Sequence, residues 1–208
     1  MTGRRGGDAG RPDRVRLGTE ADAAPAARLH SSELPEGFLV TLGTPFLVRL
    51  YTRVVRFRGS FLLVMGAESE IEGFVAVAER TGDLYREFLR RNGLAAGAAA
   101  LPAVLRAPRR TWETFRYGMG GDETGAAELP EAEILAVAVA PHARGRGVGR
   151  TLVTGAVEEL ARRGVGEVRV VTASSNAPAL AMYAAAGFTP RATTEVHAGV
   201  EQVVLAWS

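Results

Sequence analysis

From Ile134 to Ala140 the chain reads ILAVAVA, apolar without a break, and Pro141 ends the run. A strand with one face in water alternates apolar and polar residues. A strand buried on both faces need not, so this run predicts an interior strand covered by helices. The loop after it, Arg144-Gly145-Arg146-Gly147-Val148-Gly149, is dense in glycine and arginine. Beyond the loop, Leu152, Val153, Ala156, Val157 and Leu160 recur at helical spacing, and Gly164 stands where a helix would stop. The local order is therefore strand, glycine loop, helix, strand.

A loop of this kind suits one task. Glycines let the backbone approach a ligand closely, and the first N–H groups of the next helix have no partners within it. With the helix dipole, those groups favour an anion such as a phosphate. The loop residues Arg144 to Arg150 are thus candidates to bind one. A tight turn that needs glycine only for positive φ fits the spacing equally well. Two familiar phosphate loops do not fit. A Walker loop ends in Lys and then Ser or Thr, whereas Arg150 and Thr151 follow here, with the wrong spacing. A dinucleotide fingerprint needs G-x-G-x-x-G, and these glycines fall as G-x-G-x-G.

The stretch resembles the acetyl-coenzyme A motif of GNAT-type N-acetyltransferases. Arg144, Gly147 and Gly149 fill the places of its Arg or Gln, Gly, and Gly or Ala. A second hallmark is an Asn opening a later helix that carries a Tyr and ends in Gly-Phe. Here these are Asn176, Tyr183, Gly187 and Phe188. The resemblance is clearest over residues 131–190. It implies an α/β fold with a central twisted mixed sheet flanked by helices, and acetyl-CoA as co-substrate. It implies that Arg144, Gly145, Arg146, Gly147, Val148, Gly149 and Arg150 surround the cofactor's phosphates, with a further contact from Asn176. It also implies that main-chain groups of Val137, Ala138 and Val139 meet the pantetheine arm and the oxyanion.

The rest of the chain can be read around this unit. Residues 1–13 are rich in Gly, Arg and Asp and predict a disordered tail. Residues 14–208 then suit one domain. Val15 to Leu17 predicts a short strand and Ala21 to Leu34 a helix. Phe38 to Phe57 has helical spacing interrupted by Gly43 and Pro45, which predicts two helical pieces. Ser60 to Met65 and Glu72 to Ala78 read as a hairpin. Thr189 to Glu195 and Val200 to Trp207 read as two closing strands joined through His197-Ala198-Gly199. Residues 81–130 form an insertion between the third and fourth strands, far longer than a hairpin loop. Leu84, Phe88 and Leu89, then Leu94 to Leu105, then Trp112 to Tyr117 suggest helical pieces, and Met119 to Glu128 a Gly-rich linker. Its arginines, among them Arg86, Arg90 and Arg91, read as solvated helix faces or as an electropositive rim for an acidic acceptor.

Composition removes several classes. With no Cys there is no disulfide framework, thiolate metal site or cysteine nucleophile. Every one of the 25 Lys and Arg residues is Arg, and the net charge is only +2, so the chain lacks the large basic excess of a nucleic-acid binder. Nucleic acid is the weakest partner reading. No apolar run reaches the roughly 18 residues of a membrane span, and no signal peptide is visible, which predicts a cytoplasmic protein with no membrane partner. His30, His142 and His197 have no ligand spacing, so no metal is expected. A homodimer is left open.

Acetyl transfer to an amine sets a definite task. An alkyl ammonium has a pKa near 10.4, so at pH 7 removing its proton costs roughly 4–5 kcal/mol. A base must meet that cost, an N–H must face the oxyanion, and the departing thiolate gains from a proton donor. The resemblance implies Glu133 as base, eleven residues before Arg144, with Glu131 as a substitute. Some relatives carry a Glu on the next strand instead, but that position here is Val171. Tyr183 takes the place of the family's acid. Neither Ser174 nor Ser175 sits in a nucleophile elbow, so direct transfer in a ternary complex is expected. The acceptor implied is a small amine, such as an amino sugar or other amine metabolite. A peptide or protein N-terminus is the alternative, and a non-catalytic acyl-CoA-binding module is a third reading.

Overall fold

The computed structural model describes residues 14–35, 37–67, 70–91, 129–195 and 201–208. Its strands are β1 (Arg16–Leu17), β2 (Ser60–Ala67), β3 (Glu70–Ala78), β4 (Glu133–Val139), β5 (Val168–Ala173), β6 (Thr189–Glu195) and β7 (Glu201–Trp207). They form one mixed sheet in the order β1-β2-β3-β4-β5-β7-β6. Neighbours are antiparallel except β4 and β5, which run parallel.

Two helical layers cover the sheet. On one face lie α1 (Ala23–Glu33), the single turn α2 (Phe38–Thr41), α3 (Thr44–Arg56) and α4, which spans 81–91. On the other lie α5 (Val148–Arg162) and α6 (Ala177–Ala185). Alternation along the strands divides the core. Phe61, Leu63, Val75, Val77 and Val170 turn towards α5, whereas Leu62, Val64, Phe74, Ala76 and Ala78 turn towards α1 and α3. Phe74, with no exposed area, is worth about 1.5–3 kcal/mol as a buried side chain.

The breaks between elements follow the residues expected. Gly43 has φ 87°, which ends α2, and Pro45 stands in the first turn of α3, where its missing N–H costs nothing. α3 then buries Phe46, Leu47, Leu50, Tyr51 and Val54 along one stripe. The first helix starts later than the sequence suggests, at Ala23, because Asp22 closes a capping arrangement. Its carboxylate accepts from the Thr19 N–H at 2.7 Å and from both terminal nitrogens of Arg16, at 2.8 and 2.7 Å. α5 stops after Arg162, and Gly164 adopts φ 81° just beyond it.

The run Ile134 to Ala140 is not buried on both faces throughout. Ile134, Ala138 and Ala140 are buried, but Leu135, Ala136, Val137 and Val139 are only half-buried. The cause is the partner strand, which leaves β4 after two rungs (see below).

Residues 81–91 are helical, and Leu84 and Phe88 enter the core. Arg86 pairs with Asp83, while Arg90 and Arg91 pair with Glu87, which fits solvated helix faces. The pieces at Leu94 to Leu105 and Trp112 to Tyr117, the linker Met119 to Glu128, the tail 1–13 and the turn at His197 lie outside the described residues. Among the described residues no helix is long and apolar enough to cross a membrane, and no group of His, Asp or Glu could hold a metal.

Candidate active site

The site begins where two strands part. β4 and β5 share only two register pairs, Glu133 with Arg169 and Ile134 with Val170. β4 stays paired with β3 as far as Val139, while β5 turns to β7. A bulge adds to the divergence: Ala76 faces Ala136 and Val77 faces Ile134, so Leu135 has no partner on β3. A wedge therefore opens in the middle of the sheet from Leu135 onward.

The backbone groups that face this wedge follow from alternation. The N–H of Ala140 donates to the Glu72 carbonyl at 2.8 Å, so Ala140 points its backbone at β3. Two residues back, the carbonyl of Ala138 also lies against β3, beside Gly73. Val137 and Val139 therefore turn their N–H and C=O the other way, into the wedge. Of the three residues expected here, Ala138 presents only its side chain to the α1 side, where it is core.

The glycine loop stands at the mouth. Pro141 to Ala143 make a one-turn helix, and the loop then enters α5. Gly147 caps α5 with φ 80° and ψ 2°, a left-handed conformation that a side chain would strain. Nothing lies within 4 Å of a Cβ placed there, so the open side faces outward. The first intrahelical bond comes from Thr151 N–H to Gly147 O, at 2.9 Å. The N–H groups of Val148, Gly149 and Arg150 consequently have no helical acceptor, and they form the positive end of a 15-residue helix. That cradle, with Arg144, Arg146 and Arg150 exposed around it, fits a diphosphate.

Not every residue of the motif does the same thing. Gly149 is a packing residue, since a Cβ there would stand 2.6 Å from the Met182 sulfur and 3.5 Å from Val139. Val148 is core, at 2% exposure. Arg144 is engaged by the Glu33 carboxylate at the end of α1, and Arg146 lies 3.2 Å from Glu72. His142 is exposed beside the loop.

Tyr183 projects from α6 into the α5-side core, at 5% exposure, with its ring 5.5 Å from that of Phe188. Burial pushes its phenol well above the usual tyrosine range, so it stays protonated at any working pH. Its hydroxyl has no hydrogen-bond partner among the described residues. Asn176 caps α6, its side-chain oxygen accepting from the Ala179 N–H at 3.2 Å.

Glu133 opens β4 on the opposite face, at the closed end of the wedge. Oε2 accepts from Thr81 Oγ1 at 3.2 Å and from Arg169 Nε and Nη2 at 3.3 and 3.2 Å. The carboxylate also helps raise the neighbouring Tyr85 phenol to about 12, after burial as the larger cause. Glu131, the substitute, pairs with Arg80 at 2.9 Å and is 73% exposed, out on the surface. Sequence reasoning did not find Thr81 or Arg169. A Thr after a strand and an Arg within one carry no local signal; only the register of β4 on β5 brings them together.

On the same face a second polar pair is sealed in. His30 Nδ1 and Tyr51 Oη lie 2.5 Å apart, and the His30 ring stacks near Phe74 at 6.4 Å. Burial lowers the His30 pKa to about 4, so the ring is neutral.

The site is thus built on a seven-stranded mixed sheet split between its parallel strands, with a glycine–arginine loop leading into the helix that connects them. Residues 109–188 match the model of the acetyltransferase (GNAT) family. A mycothiol acetyltransferase of Nocardioides sp. is 38% identical over 38% of this chain and 26% of its own length. The [ribosomal protein bS18]-alanine N-acetyltransferase of Escherichia coli is 38% identical over 29% of this chain and 40% of its own. The chain thus spans about a quarter of the length of the mycothiol acetyltransferase. In three dimensions it resembles a Salmonella typhimurium protein solved with its cofactor acetyl-CoA. Their TM-score is 0.58 at 16% identity, over 93% of this chain and 92% of the other. The ribosomal-protein-alanine N-acetyltransferase of Brucella melitensis gives the same TM-score, 0.58, at 18% identity over 93% and 98%. These two likenesses establish the fold.

Proposed function

We propose that this protein is an acetyl-CoA-dependent N-acetyltransferase that moves the acetyl group directly to a primary amine in a ternary complex. The observation that carries the reading is the wedge between β4 and β5, with the unpartnered N–H groups of α5 at its mouth. Bound there, acetyl-CoA supplies an activated thioester, with its phosphates at Val148 to Arg150 and its arm along Val137 and Val139. The N–H groups of those two strand residues are the candidates to polarise the thioester carbonyl.

Two side chains complete the chemistry. Glu133 takes the proton from the acceptor ammonium, and the amine nitrogen forms its bond to the carbonyl carbon. The carbon–sulfur bond breaks, and the sulfur takes the proton of Tyr183, a phenol kept in its donor form by burial. The nitrogen then gives up its second proton, which restores Tyr183, and Glu133 returns the first to solvent.

The acceptor we favour is a small amine such as an amino sugar. Relatives named for mycothiol support a small molecule. Relatives named for the alanine of a ribosomal protein support the second reading, a peptide N-terminus. The test is thiol release from acetyl-CoA with glucosamine and with an alanine-initiated hexapeptide. Turnover of glucosamine alone supports the first reading, and of the peptide alone the second. Tight acetyl-CoA binding with no turnover across a wider amine panel would leave an acyl-CoA-binding module.

A further inference from the structure

We propose that Thr81 and Arg169 are positioning residues for the base, and that Oε1 of Glu133 is the atom that receives the acceptor's proton. The inference rests on the acetyltransferase reading above. Among the described residues, every hydrogen bond to this carboxylate goes to one oxygen. Oε2 receives the Thr81 hydroxyl and two guanidinium donors, at 3.2, 3.3 and 3.2 Å. Oε1 receives none among the described residues. It is not sealed either, for the side chain keeps 20% of its area exposed.

Three donors on one oxygen, from two directions, remove the freedom of the side chain. Arg169 comes from β5, directly opposite Glu133 in the last rungs before the strands part. Val168 and Val170 turn into the α5-side core, so Arg169 lies on the same face as Glu133. Thr81 comes from the first turn of α4, which Leu84 and Phe88 anchor in the core. A carboxylate oxygen holding three donors has no lone pair left for a fourth. The free oxygen is then the sole acceptor, pinned at the closed end of the wedge. Positioning of this kind matters because proton transfer needs the base within hydrogen-bond reach of the nitrogen. A plain ion pair tying β4 to β5 would need neither the Thr81 hydroxyl nor an open second oxygen.

The experiment is a double-mutant cycle on acetyl transfer to glucosamine and to the alanine-initiated hexapeptide. Thr81→Val should lower kcat/KM about five- to tenfold, the value of one hydrogen bond. Acetyl-CoA affinity and Tm should not move. Thr81→Ser, which keeps the hydroxyl, should retain the wild-type rate. In a Glu133→Gln background Thr81→Val should cost nothing further, since there is no base left to position. Arg169→Lys should behave as Thr81→Val does, again only when Glu133 is present. An equal loss in both backgrounds, or no loss in either, would overturn the inference while leaving Glu133 as base. Full activity of Glu133→Gln would overturn it by removing the base, with the transferase reading intact. No thiol release by the wild type with either probe would remove the transferase reading, and the inference with it.

Discussion

Arg144 of the glycine loop is bound by Glu33, the last residue of α1, across 111 positions of sequence. The guanidinium expected to meet a phosphate is already occupied by a carboxylate. Glu33 is largely buried, at 12% exposure, while Arg144 is 59% exposed. A phosphate reaching Arg144 would have to displace Glu33 or share the guanidinium with it. Partly exposed pairs are worth about 0.2–1 kcal/mol. Glu33→Gln should thus tighten acetyl-CoA binding about two- to fivefold, read by calorimetric titration. Weaker binding in the variant would mean that Glu33 orients Arg144 rather than competing for it.

Two glycines two residues apart should fail in different ways. Gly147→Glu puts a carboxylate and a strained left-handed residue at the phosphate cradle. Strain of about 1–2 kcal/mol leaves the fold standing, and acetyl-CoA binding is lost. Gly149→Val drives a side chain into Met182 and should lower Tm first. Calorimetry and thermal melts on the two variants separate these effects.

Tyr183→Phe removes the proton donor without leaving a hole. Its hydroxyl has no partner among the described residues to orphan, so Tm and acetyl-CoA affinity should hold while kcat falls about 100-fold or more. An unchanged kcat would return Tyr183 to the core as a packing residue.

The neutral, buried His30 makes stability depend on pH in a defined window. The folded-state pKa is about 4, while a free histidine titrates near 6.5. On acidification the unfolded chain takes up the proton first. The contribution is complete above pH 6.5 and is lost between there and about 4, on the order of 3 kcal/mol in all. Urea midpoints at pH 7.5 and 4.5 measure it. His30→Phe should be less stable at pH 7.5, since Tyr51 loses its partner, but should show a smaller drop on acidification.

What could be read from the sequence was local. The β4–loop–α5 unit is contiguous, and its strand run, glycines and helical spacing all lie within about thirty residues. The break at Gly43 and Pro45 and the stop at Gly164 were legible for the same reason, because one residue's backbone preference decides each. The pairings that define the site were not. Glu133 meets Arg169 only because β5 lies beside β4, and a bulge at Leu135 sets which side chains share a face. The apolar run looked like a strand buried on both sides, and its chemistry gives no hint that half of it lines a wedge. Three glycines in a row of alternate positions also looked alike. Packing alone reveals that Gly149 also makes room for Met182.

The two rungs between β4 and β5 have a mechanical consequence. A sheet joined so narrowly is a pair of half-sheets, β1 to β4 and β5 to β6, meeting along a seam. Amides on both sides of that seam should exchange with solvent sooner than those of β2 and β3, whose ladder runs along eight residue pairs. A molecule lying in the wedge would stitch the halves together through the same backbone groups that the missing rungs leave bare. Saturation at a hundred times Kd adds about 2.7 kcal/mol of stability, so the co-substrate would serve this fold as its missing strand.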